Sequence, residues 1–215
     1  MELILAEKPS AARNFAKALG GKTGNYAGTE YKITNLRGHV MGLLPPDKQV
    51  PTEKVEFYKS WDLENLPWNL NDFAWKKGIL SGCKDIISGL KDELKEADCV
   101  VIATDVDPSG EGELLAWEAL EKCGWRGTTK RMYFADEAPA SVQKAFRERK
   151  TLPSMDKDGD YVKAVVRERW DLASMQFTRA ATLVARKKGF RTVVRQGRLK
   201  SVMVKLTGDQ LKAYN

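Results

Sequence analysis

The sequence predicts an α/β domain with a mostly parallel sheet flanked by helices, followed by a partial helical segment. Three observations carry this. Apolar runs of strand length alternate with amphipathic stretches of helical length. Two of the runs, Leu3-Ile4-Leu5-Ala6 and Cys99-Val100-Val101-Ile102-Ala103, have no polar interruption, as expected of buried strands. Proline and glycine fall at element boundaries: Pro9-Ser10 opens a stretch that Gly20-Gly21 stops.

In chain order, Glu2 to Ala6 is a strand and Pro9 to Leu19 a helix. Tyr31 to Leu36 is a second strand. Residues 45–77 are rich in Pro, Trp and turn formers and show no clear period. Ile79 to Ala97 reads as an amphipathic helix, with Leu80, Cys83, Ile86, Ile87, Leu90 and Leu94 at helical spacing. Cys99 to Thr104 is a buried strand, Glu113 to Lys122 a helix ended near Gly124, Arg131 to Phe134 a further strand and Ser141 to Arg149 a helix. Thr151 to Gly159 reads as a linker, and a long helix covers roughly Tyr161 to Lys188. This divides the chain into a domain over 1–150 and the start of an adjacent helical domain over 151–215. Trp117 and Trp170 are expected in the core.

Apolar residues make up 42% of the 215, enough for an ordinary core. No apolar run approaches the ~20 residues of a membrane helix, and the start lacks the basic and apolar regions of a secretory leader. Cys83, Cys99 and Cys123 are widely spaced and odd in number, which suits free thiols in a reducing cytoplasm. The net charge of +7 is unevenly placed: residues 151–215 carry +8 and residues 1–150 carry −1. Residues 179–205 hold nine Lys/Arg and no acid. Such a stretch is either a solvated face or a surface for a polyanion, whose counterions are released on binding.

Asp105 and Asp107 stand just past a buried strand, where ligands of open parallel sheets gather. Pro108-Ser109-Gly110 makes a turn, and Glu111-Gly112-Glu113 starts a helix. The first strand also ends in an acid, Glu7, followed by Lys8. If the two strands are neighbours, Glu7, Asp105, Asp107 and Glu111 converge. A divalent cation would relieve their repulsion, and an all-oxygen set suits Mg²⁺. The bland alternative for Asp105 and Asp107 is a loop turn. For Glu113 the preferred reading is favourable charge at a helix N-terminus, worth ~0.3–1 kcal/mol. Gly21-Lys22-Thr23 lacks the first glycine of a phosphate loop and follows a helix, and Gly110-x-Gly112 lacks the third glycine of a dinucleotide fingerprint, so no nucleotide cofactor is expected.

Several segments, in order, resemble the type IA DNA topoisomerases, especially their topoisomerase III branch. Leu5-Ala6-Glu7-Lys8-Pro9-Ser10 resembles the family's opening. Thr104-Asp105-Val106-Asp107 with Glu111-Gly112-Glu113-Leu114-Leu115-Ala116-Trp117 is similar to its Toprim metal motif. Gly38-His39-Val40, Tyr58-Lys59-Ser60-Trp61, Ala138-Pro139-Ala140-Ser141-Val142 and Arg195-Gln196-Gly197-Arg198-Leu199-Lys200-Ser201 resemble later family segments. The resemblance implies a Toprim, Rossmann-like fold over 1–150. It implies that Asp105, Asp107 and Glu111 hold Mg²⁺, that Glu7 sits beside the scissile phosphate, and that Lys8 stabilises its charge. Arg195, Arg198 and Lys200 would contact the DNA backbone. His39 is either near the cleft or a structural histidine.

Three features depart from the family. Three residues, not one, separate Asp107 from Glu111. Lys200 stands where the family has glutamine, which favours a phosphate contact. None of Tyr26, Tyr31, Tyr58, Tyr133, Tyr161 or Tyr214 lies where the family's nucleophilic tyrosine does. The implied function is the amino-terminal part of an enzyme that cuts and rejoins single-stranded DNA, inactive alone and completed by a carboxyl-terminal remainder. The alternatives are a Toprim-type Mg²⁺-dependent nuclease or primase, and a non-catalytic DNA-binding module.

Overall fold

The computed structural model describes residues 1–214, without the side chain of Arg198. The elements are β1 (Glu2–Ala6), α1 (Pro9–Leu19), β2 (Thr23–Tyr26), β3 (Thr29–Asn35), β4 (Met41–Leu43), α2 (Val55–Lys59), β5 (Lys77–Ile79), α3 (Lys84–Glu93), β6 (Cys99–Ala103), α4 (Glu111–Cys123), β7 (Thr128–Arg131), α5 (Pro139–Arg147), β8 (Lys150–Thr151), α6 (Gly159–Lys187) and α7 (Arg198–Tyr214). By packing, the chain divides into two compact units: residues 1–42 with 78–166, and residues 43–77 with 167–215. This grouping differs from a division at residue 150. The aromatic residues of 43–77 supply much of the second unit's own core.

The first unit is built on a six-stranded sheet in the order β2-β3-β1-β6-β7-β8. The pairs β3–β1, β1–β6 and β6–β7 are parallel, while the edge strands β2 and β8 are antiparallel. The mostly parallel α/β fold expected from sequence is therefore present. Side chains alternate across β1 and β6: Leu3, Leu5, Val100 and Ile102 enter a core with residues of α3 and α4. Ile4, Ala6, Val101 and Ala103 enter a second core with residues of α1 and α5. Both faces of the central strands are thus covered, which is why these strands read as unbroken apolar runs.

Three boundaries differ from expectation. The helix expected from Ile79 begins only at Lys84; Lys77–Ile79 is strand β5, and Leu80 donates its N–H to Val40 O at 2.9 Å. The strand expected at Arg131 to Phe134 ends at Arg131. Its buried positions are Thr129 and Arg131, polar residues that hide a strand from an apolar pattern. Strand β2 went unread because Thr23-Gly24-Asn25-Tyr26 is mostly exposed and polar.

In the second unit Val50, Tyr58, Trp68, Phe73 and Leu172 form the core. Trp170, expected inside, is 56% exposed. Among the described residues no helix is long and apolar enough to cross a membrane.

Candidate functional site at the carboxyl ends of β1 and β6

Parallel pairing sets Ala6 opposite Ala103. The residues that follow each strand therefore emerge side by side. Glu7 Oε2 accepts the N–H of Asp105 at 3.1 Å, and Lys8 Nζ lies 3.0 Å from Asp105 Oδ2. Two motifs almost a hundred residues apart meet in direct contact. Burial pushes the Glu7 carboxyl above its ordinary value. The Asp105 N–H and the Lys8 charge act against that, and the charges of Asp105 and Glu111 add to it. The hydrogen bond to Asp105 raises the Lys8 ammonium, against a smaller desolvation effect.

The turn after β6 is held from within. Asp107 Oδ1 accepts the Ser109 N–H at 2.7 Å and also the Ser109 hydroxyl. Burial alone would push the Asp107 carboxyl up. The Ser109 hydroxyl and N–H, with the backbone of Gly112 and Glu111, outweigh that and hold it below its ordinary value. The extra residues between Asp107 and Glu111 are thus used: Ser109 caps the aspartate, and Gly110 turns with φ +75°. Glu111 opens α4 and meets His39 Nε2 at 2.8 Å. The single histidine is hydrogen-bonded and stands at the acidic site, so its two expected roles coincide.

Sequence reasoning missed the residue behind the site. Arg131 is completely buried; Nε donates to Glu113 Oε1 at 2.6 Å, Nη1 to Thr104 O at 2.7 Å and Nη2 to Asp105 O at 3.1 Å. It grips the main chain that carries Asp105. Glu113 stands in the first turn of α4, as expected, and is in addition a buried acid paired with Arg131, 2% exposed. The helix packs close here: Thr104 Oγ1 donates to Gly112 O at 2.9 Å, and a Cβ on Gly112 would stand 2.1 Å from Asp105 O. The one signal in sequence was Arg131 itself, a charge directly before the apolar run Met132-Tyr133-Phe134.

The donors available to a metal are carboxylate oxygens, with a net negative balance, and that chemistry suits a hard dication such as Mg²⁺, which keeps several waters. Among the described residues no three His, Cys, Asp or Glu side chains already converge as a metal cage. Asp105 is turned to Lys8, Asp107 to Ser109 and Glu111 to His39. The donor types fit the ion; their present partners compete for them.

The basic residues singled out lie in the second unit. Arg195 is exposed in the loop after α6, and Lys200 is exposed in the first turn of α7. The Arg198 side chain lies outside the described residues. The loop is tied to α6 by two threonines one turn apart: Val194 N donates to Thr182 Oγ1 and Gln196 N to Thr178 Oγ1, both at 3.0 Å.

Residues 2–136 match the Toprim domain family. The chain is 30% identical over 151 residues to a DNA topoisomerase 3 of Staphylococcus epidermidis, covering 69% of this chain and 20% of that protein. It is 29% identical over 184 residues to the DNA topoisomerase 3 of Bacillus subtilis, covering 84% of this chain and 24% of that protein. The chain spans between a fifth and a quarter of the length of these relatives. Among solved structures it is similar to the full-length topoisomerase I of Thermotoga maritima, with a TM-score of 0.50 and 22% identity over 72% of this chain and 22% of that one. That likeness is one of fold.

Proposed function

Because the chain belongs to the Toprim domain family and resembles type IA topoisomerases, we propose that it supplies the acidic site and DNA-backbone contacts with which such an enzyme cuts and rejoins single-stranded DNA. The observation that carries this reading is the meeting of Glu7 and Lys8 with Asp105 across the β1–β6 pair.

Asp105, Asp107 and Glu111 would hold Mg²⁺, which when bound neutralises and orients phosphate. The other roles belong to the chain's own groups. Glu7 handles the proton. Burial favours its neutral form, which is the direction suited to a group that gives a proton to the oxygen that leaves phosphorus and takes it back on rejoining. Lys8 offsets the charge that builds on the phosphate oxygens. Arg195, Arg198 and Lys200 hold the strand by its backbone. The attacking tyrosine would come from a carboxyl-terminal remainder, as the greater length of the topoisomerase 3 relatives suggests. Its oxygen forms a phosphotyrosine ester as the phosphodiester bond breaks, so the bond energy is kept for rejoining. The free thiols Cys83, Cys99 and Cys123 suit work in a reducing cytoplasm.

Calorimetric titration of Mg²⁺ into the chain and into Asp105→Asn/Asp107→Asn tests the metal part. Saturable binding that disappears in the double variant is expected. No binding by the wild-type chain, even with an oligonucleotide present, would overturn it. Cleavage of DNA to free ends by the chain alone would favour the nuclease alternative.

A further inference from the structure

Trp61 follows α2 in the second unit and remains 41% exposed. Two guanidinium groups flank its ring: Arg179 Cζ lies 5.4 Å from the centroid and Arg186 Cζ 5.6 Å. Arg179 is itself only 7% exposed, and Nη1 donates to Tyr58 O at 2.6 Å and Ser60 O at 3.1 Å. It also lies 4.7 Å from the Trp68 ring, and its buried Nε finds no acceptor. By gripping the carbonyl of Ser60, Arg179 fixes the main chain one residue before Trp61. The indole is thus presented from a braced turn.

A cation–π staple between residues 57–68 and α6 accounts for Arg179. It does not account for Arg186, which is exposed, sits over the same ring and forms no ion pair among the described residues. Arg186 belongs to the stretch 179–205, which has nine basic residues and no acid. A partly exposed indole under a guanidinium that has no carboxylate partner, in a basic field, is the chemistry that receives an unpaired base and its phosphate. Resting on the reading that this chain handles single-stranded DNA, we propose that Trp61 and Arg186 form a base-stacking platform: the exposed Arg186 side chain swings off the ring onto a phosphate of the strand, and a neighbouring base takes its place on the indole. A duplex, whose bases are already stacked, cannot use the indole in this way.

The test is fluorescence anisotropy of a labelled oligothymidylate, and of a duplex of equal length, against the 215-residue chain over a range of salt. Trp61→Ala should weaken single-strand binding about tenfold, as loss of one stacked base does, and leave duplex binding and the salt slope unchanged. Trp61→Phe should keep most of the affinity. Arg186→Ala, on the exposed surface, should lower the salt slope by about one. It remains informative if Trp61→Ala does not fold by circular dichroism. Single-strand binding unaffected by Trp61→Ala, equal weakening of both forms, or an unchanged slope in Arg186→Ala overturns the platform. If Arg195→Ala/Lys200→Ala weakens binding while the Trp61 and Arg186 variants do not, the DNA-handling reading survives and the platform alone fails. If the wild-type chain binds no single strand, both fail.

Discussion

Each compact unit buries an arginine, and the two are satisfied differently. Arg131 in the first unit has a carboxylate, Glu113, and the carbonyls of Thr104 and Asp105. Its charge is balanced inside the fold, and its geometry is spent on the strand end that carries the acidic site. Arg179 in the second unit has two carbonyls and two indole rings. Burial pulls its guanidinium below its ordinary value, with only a weaker opposing effect from the Asp47 charge. Elsewhere in the same unit Phe177, Leu199 and Val204 are 55%, 72% and 73% exposed. A charge that is closed off internally shapes a site; a cation held by rings and carbonyls leaves the surface beside it open to a ligand. Substitution of Arg131 should accordingly show in stability, and substitution of the surface beside Arg179 in binding.

The largest effect that could break this comparison is at Arg131. Arg131→Met leaves Glu113 buried without its partner, and a loss of about 3–5 kcal/mol is expected in urea unfolding. Adding Glu113→Leu should recover part of it. A double variant no more stable than the single one would mean that the ion pair is not what costs.

Glu2 is the next. It is 8% exposed and bridges Lys130 and Arg149, each at 2.6 Å. Burial alone would raise its carboxyl, but the hydrogen bonds from Arg149 and Lys130 hold it below its ordinary value. A depressed folded pKa gives stability that is present above the unfolded carboxylate value and lost as pH falls through the folded one. Glu2→Gln should cost about 1.5–3 kcal/mol at pH 7, and the gap to wild type should close as pH falls below ~4. A gap that stays constant between pH 7 and pH 3 would refute the assignment.

Gly112→Ala sharpens the comparison at the site itself. The added methyl meets Asp105 O and must push α4 from the end of β6, at about 1–3 kcal/mol. Mg²⁺ affinity should fall with it; affinity unchanged in the variant would separate the metal donors from this packing. The smallest effect is expected in the second unit. Thr182→Val removes the acceptor for Val194 N, and a loss of about 0.5–1.5 kcal/mol should be accompanied by faster hydrogen exchange at Val194. Unaltered exchange there would show that the loop is held by other contacts.

Strand and helix order were legible wherever a side-chain pattern survives in one dimension. Leu3 to Ala6 and Cys99 to Ala103 are apolar because both their faces are covered, and α1 is bracketed by Pro9 and Gly20. Where polar residues occupy buried positions the pattern fails. Thr129 and Arg131 shifted the reading of β7 to 131–134, and the helix-start position of Glu113 gave no sign of its buried partner Arg131. Trp170 shows the converse error: an aromatic residue in a helix was expected inside and is exposed.

The sequence by itself determined the α/β class, the membership in a Toprim-like pattern and the acids that could act, because residue type and spacing alone specify buried strands, helix starts and carboxylates beyond strand ends. Only the tertiary structure decided which of those acids meet. The pairing of β1 with β6, the grip of Arg131 on Thr104 and Asp105, the contact of His39 with Glu111 and the stacking of Arg179 and Arg186 on Trp61 each join residues distant in the chain. No local pattern encodes such contacts, because they depend on strand order and on how helices pack across the sheet.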